Sequence, residues 1–126
     1  MKALLASLAG LALVSCASIA PAAKSGSVDH VVLVWLKRPG NAADRAKLRQ
    51  TAEELRAIPQ VRSVSHGTAL ASDRPIVDDS FDVGFVMRFD SPADLRVYET
   101  HPFHVAKVNG VLKPLTKKIV VYDIVR

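Results

Sequence analysis

The sequence predicts an α+β fold, with four strands and two helices in the order β-α-β-β-α-β. Two observations carry this prediction. β-Branched and aromatic residues concentrate in four runs, beginning at Val28, Gln60, Phe81 and Lys117. Between the first and second runs, and again between the third and fourth, apolar residues recur at helical spacing. Proline and glycine fall at the joints, as in Pro39-Gly40, Pro59 and Pro114.

The first strand is "VDHVVLVWLK", Val28 to Lys37. Its two faces, His30/Val32/Val34/Leu36 and Val31/Leu33/Trp35/Lys37, are both mostly apolar, as expected of a strand covered on both sides. Asn41 is placed to cap the first helix, with Asp44 favouring its N-terminal dipole. Leu48, Ala52, Leu55 and Ile58 form its apolar stripe, and Pro59 ends it. "QVRSVSHGTAL" is a weaker strand, followed by a loop over Asp73 to Ser80. "FDVGFVMRF" is a strong strand with Phe81, Val83, Phe85, Met87 and Phe89 on one face and Asp82, Gly84, Val86 and Arg88 on the other. Ser91-Pro92-Ala93-Asp94 starts the second helix: serine caps, proline takes the first position and the acid comes third. Pro102 interrupts this helix, which restarts with a stripe of Val105, Val108, Leu112 and Leu115, and Pro114 ends it. "KKIVVYDIV" closes the chain as a strand with both faces apolar apart from Asp123.

This order is the ferredoxin-like split βαβ pattern. Two helices cover one face of a four-stranded sheet. The apolar second face then calls for a second copy of the chain through a two-fold contact. The expectation is a homodimer, a dimeric α/β barrel whose sheets face each other, with a wet cavity between them lined by the face opposite the helices.

The chain has 126 residues and begins with "MKALLASLAGLALVSC": a basic residue, an apolar run, then small residues, the layout of a secretory signal. Leu13-Val14-Ser15-Cys16 resembles a bacterial lipobox, and Cys16 is the single cysteine. This predicts a signal peptide over 1–15, a lipid-attached linker over 16–27 and one folded domain over 28–126. The alternative is an ordinary cleavage after Ala20-Pro21-Ala22 that discards Cys16. Lipidation of Cys16 would place the protein in a bacterial cell envelope, anchored to the membrane and facing periplasm or exterior. Loss of Lys2 with the leader lowers the formal charge of +5 by one, to a mildly basic +4. No Lys/Arg cluster with interleaved aromatics is present, so no nucleic-acid partner is expected. There is no Gly-rich phosphate loop, no G-x-S-x-G elbow and no dinucleotide fingerprint, and no cofactor is expected.

With the order and motifs in hand, the folded part resembles the Dabb domains, the stress-responsive α/β-barrel family of dimeric ferredoxin-like proteins. The resemblance rests on "DHVVLVWLK", on "SFDVGFVMRFDSPADLRVYETHPFHV" and on "KKIVVYDI". Its most specific element is Y-x-x-H-P-x-H. Some members are plant stress proteins. One branch cyclises linear polyketides by an intramolecular aldol reaction without metal or organic cofactor. By motif, the resemblance implies catalytic roles for Tyr98 and His104 and a pocket position for His30. Where that branch carries a further histidine in the third strand, this chain has Asp82, so the lining is altered.

The residues admit two readings. His104, in the first turn of a helix restarting at Thr100 or His101, is disfavoured as imidazolium by the helix dipole. That leaves a neutral imidazole able to act as general base, with Tyr98 donating to a developing oxyanion. Alternatively, His104 bonds nearby backbone and Tyr98 merely packs. His101 precedes proline and caps the helix or bonds across the joint; with His30 and Asp82 it completes the ligand-binding candidates. Pro102 removes the regular spacing that a metal site on His101, His104 and Asp82 would need, and no metal is expected. The sequence thus predicts a pocket for a small molecule, aromatic or polyketide-like, with lyase- or cyclase-type chemistry. A non-catalytic stress or ligand-binding protein built on the same dimer is the alternative.

Overall fold

The computed structural model describes residues 26–126. The predicted signal peptide, the lipidation site Cys16 and nearly all of the linker lie outside the described residues. The elements are β1 (Val28–Leu36), α1 (Ala42–Leu55), β2 (Ser63–Gly67), β3 (Val83–Phe89), α2 (Pro92–Thr100), α3 (Pro102–Lys107), a π-helical segment (Val108–Leu112), α4 (Lys113–Leu115) and β4 (Thr116–Val125). The four strands form one antiparallel sheet in the order β2-β3-β1-β4. This is the ferredoxin-like α+β fold that the element order predicts.

The helix starts follow local chemistry. Asn41 accepts the Asp44 N–H at 3.0 Å, and Ser91 accepts the Asp94 N–H at 3.1 Å. Gly40, at φ 74°, supplies the left-handed turn into α1. α1 ends at Leu55, earlier than Pro59 alone suggests. The N–H groups of Arg56, Ala57 and Ile58 each donate to a carbonyl three residues back, which tightens the last turn. Ile58 is therefore buried from a turn rather than from the helix stripe.

The core lies on one face of the sheet. Val28, Val32, Val34 and Leu36 of β1 and Val83, Phe85, Met87 and Phe89 of β3 share it with Leu48, Ala52 and Leu55 of α1 and Leu95 and Tyr98 of α2. Each large apolar side chain so buried contributes roughly 1.5–3 kcal/mol. The other face presents Val86, Tyr122 and Ile124, which are 39, 56 and 53% exposed.

Two expectations about side-chain placement are corrected. Phe81 does not share the core face of β3. Strand geometry begins only at Val83, and the Phe81 ring instead meets Trp35 edge-on at 6.4 Å and lies against Gly84, on the open face. Val105 does not continue the second helical stripe; it is 42% exposed. Leu112 and Leu115 pack on the core as expected, and the π segment, which widens the helix, adds Val111 to them. Within it the Lys113 N–H donates to the Val108 carbonyl, five residues back. Pro114 sits inside α4 rather than ending the helix before it.

Candidate functional site

The site is built where the second helical region crosses the sheet. α2 buries Leu95 and Tyr98, one turn apart. The helix then breaks before Pro102, and His101 serves both as the C-cap of α2 and the N-cap of α3. Its N–H donates to the Tyr98 carbonyl, and its Nδ1 accepts the Phe103 N–H at 3.2 Å. The break lets His104 fold back over Tyr98. Their ring centroids lie 4.3 Å apart. Tyr98 in turn meets His30 at 6.0 Å and Phe89 at 4.9 Å, so its ring stands between the two histidines.

Both histidines have one nitrogen committed. His104 Nδ1 lies 2.9 Å from the Glu99 carbonyl, an acceptor only, so Nδ1 carries the proton and Nε2 holds the lone pair in the neutral ring. Burial holds the His104 pKa below the ordinary histidine value, although the Glu99 carbonyl opposes it. His30 Nδ1 lies 2.6 Å from Asp123 Oδ1, directly across the β1–β4 register. An acid so placed fixes the ring orientation, as in a base–orienter pair. Tyr98 donates its hydroxyl to the Met87 sulfur at 3.2 Å, a weak acceptor that a ligand oxygen would outcompete. Burial, with the Glu99 charge, pushes the Tyr98 pKa well above its ordinary value. Tyr98 is thus a proton-bearing donor and not a base.

These groups line a cavity of about 480 Å³. His30, Tyr98, His104 and Asp123 form its polar corner, while Val32, Leu48, Leu55, Phe85, Leu112 and Val121 supply much of the apolar wall. The size falls within the range of small-molecule sites, and so does the mixture of apolar wall and few polar groups. Its position corrects the sequence-based expectation. The cavity lies between the helices and the sheet, not on the face opposite the helices. The apolar residues on both faces of β1 predict cover on both, but do not tell on which side a cavity is left.

The structure therefore brings His30, Tyr98 and His104 together. Asp82 and His101 are not among the lining residues. Asp82 accepts from the Leu36 N–H at 2.9 Å and the Gly40 N–H at 2.7 Å, and from Arg45 at 3.2 Å. It holds the β1–α1 connection. Burial raises its pKa, but those three donors together outweigh burial and leave it lowered. Among the described residues no group of three His, Cys, Asp or Glu side chains is arranged to hold a metal ion. Sequence reasoning missed Asp123 and Lys107 as lining residues. Asp123 had a signal, as the single acid in an apolar closing strand. Lys107 had one in its position a helical turn after His104.

Comparison with known proteins places this geometry. The model of the stress responsive A/B barrel domain, Dabb, matches residues 28–126. None of the curated proteins compared with the chain matches it. A Dabb family protein of Mesorhizobium loti with a ferredoxin-like fold is similar in structure, with 28% identity and a TM-score of 0.66, over 81% of this chain and 98% of that one. A hydroxynitrile lyase from Passiflora edulis is similar at 21% identity and a TM-score of 0.70, over 82% of this chain and 95% of that one. A dimeric protein of unknown function with a ferredoxin-like fold, from Bacteroides fragilis, is similar at 21% identity and a TM-score of 0.64, over 81% and 98%. The strand and helix order, the motif at the α2–α3 break and the family match agree: the chain belongs to the stress-responsive A/B barrel, or Dabb, domain family.

Proposed function

We propose that the cavity binds a small carbonyl-containing molecule and carries out cofactor-free lyase- or cyclase-type chemistry. The observation that carries this is the convergence of His30, Tyr98 and His104 on one cavity with the Nδ1 of each histidine already engaged. In the cyclase direction, His104 Nε2 takes the proton from a carbon next to a carbonyl. The enolate carbon attacks a second carbonyl of the same molecule, a C–C bond forms, and the new alkoxide takes the proton back. In the lyase direction, His104 takes the hydroxyl proton, the alkoxide collapses to a carbonyl as the C–C bond breaks, and the carbon leaving group takes that proton from the imidazolium. The Tyr98 O–H donates to the oxyanion in both. The hydroxynitrile lyase among the similar structures supports the lyase direction on this fold.

The assembly proposed for the working protein is a homodimer, through the open sheet face that carries Val86, Tyr122 and Ile124. The dimeric description of a similar protein from Bacteroides fragilis supports it. Lipidation at Cys16 and anchoring in a bacterial envelope complete the proposal, supported by the Leu13–Cys16 pattern alone. A second reading, ligand binding without turnover, is favoured by one observation: the Tyr98 hydroxyl is already engaged by Met87 in a side chain only 2% exposed.

The test is a thermal-shift screen of the purified protein against aromatic and polyketide-like carbonyl compounds, followed by turnover assays on the hits. A ligand at a hundred times its dissociation constant stabilises by about 2.7 kcal/mol, which such a screen detects. Turnover that disappears in a folded His104→Gln variant supports catalysis. Undiminished turnover in that variant removes His104 as the base. Binding with no turnover of any hit favours the second reading.

A further inference from the structure

We infer that the ligand of this cavity is an anion, a carboxylate-bearing molecule with an apolar body, and that Lys107 anchors its carboxylate. The inference rests on the reading of the cavity as a small-molecule site. It concerns what that site selects and not whether it turns over.

Lys107 lines the cavity with His104, three residues before it on α3. That spacing puts the two side chains on one helix face, roughly 5–6 Å apart at their Cβ atoms. Among the lining residues Lys107 is the one lysine or arginine; of the two lining carboxylates Asp123 is bound to His30 and Glu99 is exposed, and most of the wall is apolar. A cation in such a wall needs a counter-charge. Here it comes from Glu54 of α1, which is not a lining residue, through an ion pair with the Lys107 ammonium. The ammonium also lies 5.1 Å from the centre of the Phe103 ring, which holds it over the helix.

Glu54 is able to let go. Its carboxylate also accepts from Gln50 at 2.9 Å, and the charge of Lys47 acts on it as well. When Lys107 turns to a ligand, Glu54 keeps a donor, a neighbouring cation and contact with solvent. A ligand carboxylate would then take its place on Lys107, one helical turn from the base. There the cation would also favour negative charge developing during proton abstraction. The rival possibility is that the Lys107–Glu54 pair is a strap joining α3 to α1 and nothing more.

The two roles predict opposite outcomes. The probes are 4-phenylbutanoate and its primary amide, titrated calorimetrically into the purified protein, Lys107→Met, Lys107→Arg and Glu54→Gln. An anchoring Lys107 gives an acid-over-amide preference of about tenfold, the scale of one charge-assisted contact. The preference is lost in Lys107→Met, kept in Lys107→Arg and increased in Glu54→Gln, where the competing carboxylate is gone. A strap gives no preference in the wild type, and Lys107→Met and Glu54→Gln then change both probes alike. Equal binding of acid and amide by the wild type overturns the anchor while leaving the pocket standing. So does a preference that survives Lys107→Met. Failure of both probes to bind any variant overturns the anchor and counts against the pocket reading too.

Discussion

The two β-α-β halves of this fold share a topology and differ in their helices. In the first half, α1 runs unbroken for 14 residues and buries Leu48, Ala52 and Leu55 against the sheet. In the second, the helical region from Pro92 to Leu115 is cut at His101, widened at Val108–Leu112 and resumed through Pro114, and α3 and the π segment contain no fully buried residue. The unbroken helix closes the core. The broken one leaves the cavity and brings His104 and Lys107 to its lining. The regular copy supplies a helix stripe closed over the core, and the proposed site lies where the other copy departs from regularity.

Truncation is the strongest way to break this comparison. Leu48 is 1% exposed, and Leu48→Ala should cost about 2–5 kcal/mol in urea unfolding. Leu112, only partly buried, should cost roughly 1 kcal/mol on the same change. Equal costs would mean that the second half carries as much of the core as the first. Next in size is the polar anchor of the first half. Asp82→Ala orphans the Leu36 and Gly40 N–H groups and should destabilise by about 2–3 kcal/mol. The folded pKa of Asp82 is lowered, so its contribution is full above the unfolded carboxylate value near 3.8 and is lost as pH falls through the folded one. Asp82→Asn should flatten the acid limb of the stability curve, and an unchanged limb would remove Asp82 from that role.

The same contrast explains what was legible in the sequence. Asn41 and Ser91 announce their helices because a cap bonds to backbone three residues away, an interaction contained in the local sequence. Runs of β-branched and aromatic residues announce the strands for the same reason, overreaching at Phe81, where the chain is not yet strand, and at both ends of β2. Tyr98 and His104 are visible through a motif, yet their 4.3 Å approach depends on the break at Pro102. The π segment is hidden, since Val105, Val108 and Leu112 fit an ordinary helical period equally well. Asp123 is hidden because its partnership with His30 spans 93 residues and exists only in the β1–β4 register. Resemblance puts Asp82 in the lining by carrying over the position of a pocket histidine, whereas a carboxylate there finds backbone donors instead.

The smallest expected effect sharpens the comparison further, because the two halves are anchored by groups that titrate differently. In the second half the joint is held by imidazoles. The His104 pKa is lowered in the folded protein, chiefly by burial. The unfolded chain therefore binds more protons than the folded one as pH falls through the ordinary histidine value near 6.5. Stability from this group is full above that value and declines as pH drops through it to the folded pKa. The Nδ1–H bond to the Glu99 carbonyl survives protonation, since Nδ1 already carries its proton; what is lost is the neutral ring's fit to a half-buried place beside Tyr98. Between pH 7 and pH 5 the urea midpoint of the wild type should fall further than that of His104→Gln, while Asp82→Asn should track the wild type across the same interval. Parallel midpoints for wild type and His104→Gln would mean that His104 sits in the fold without strain in either charge state. The site half would then be no more acid-sensitive than the scaffold half.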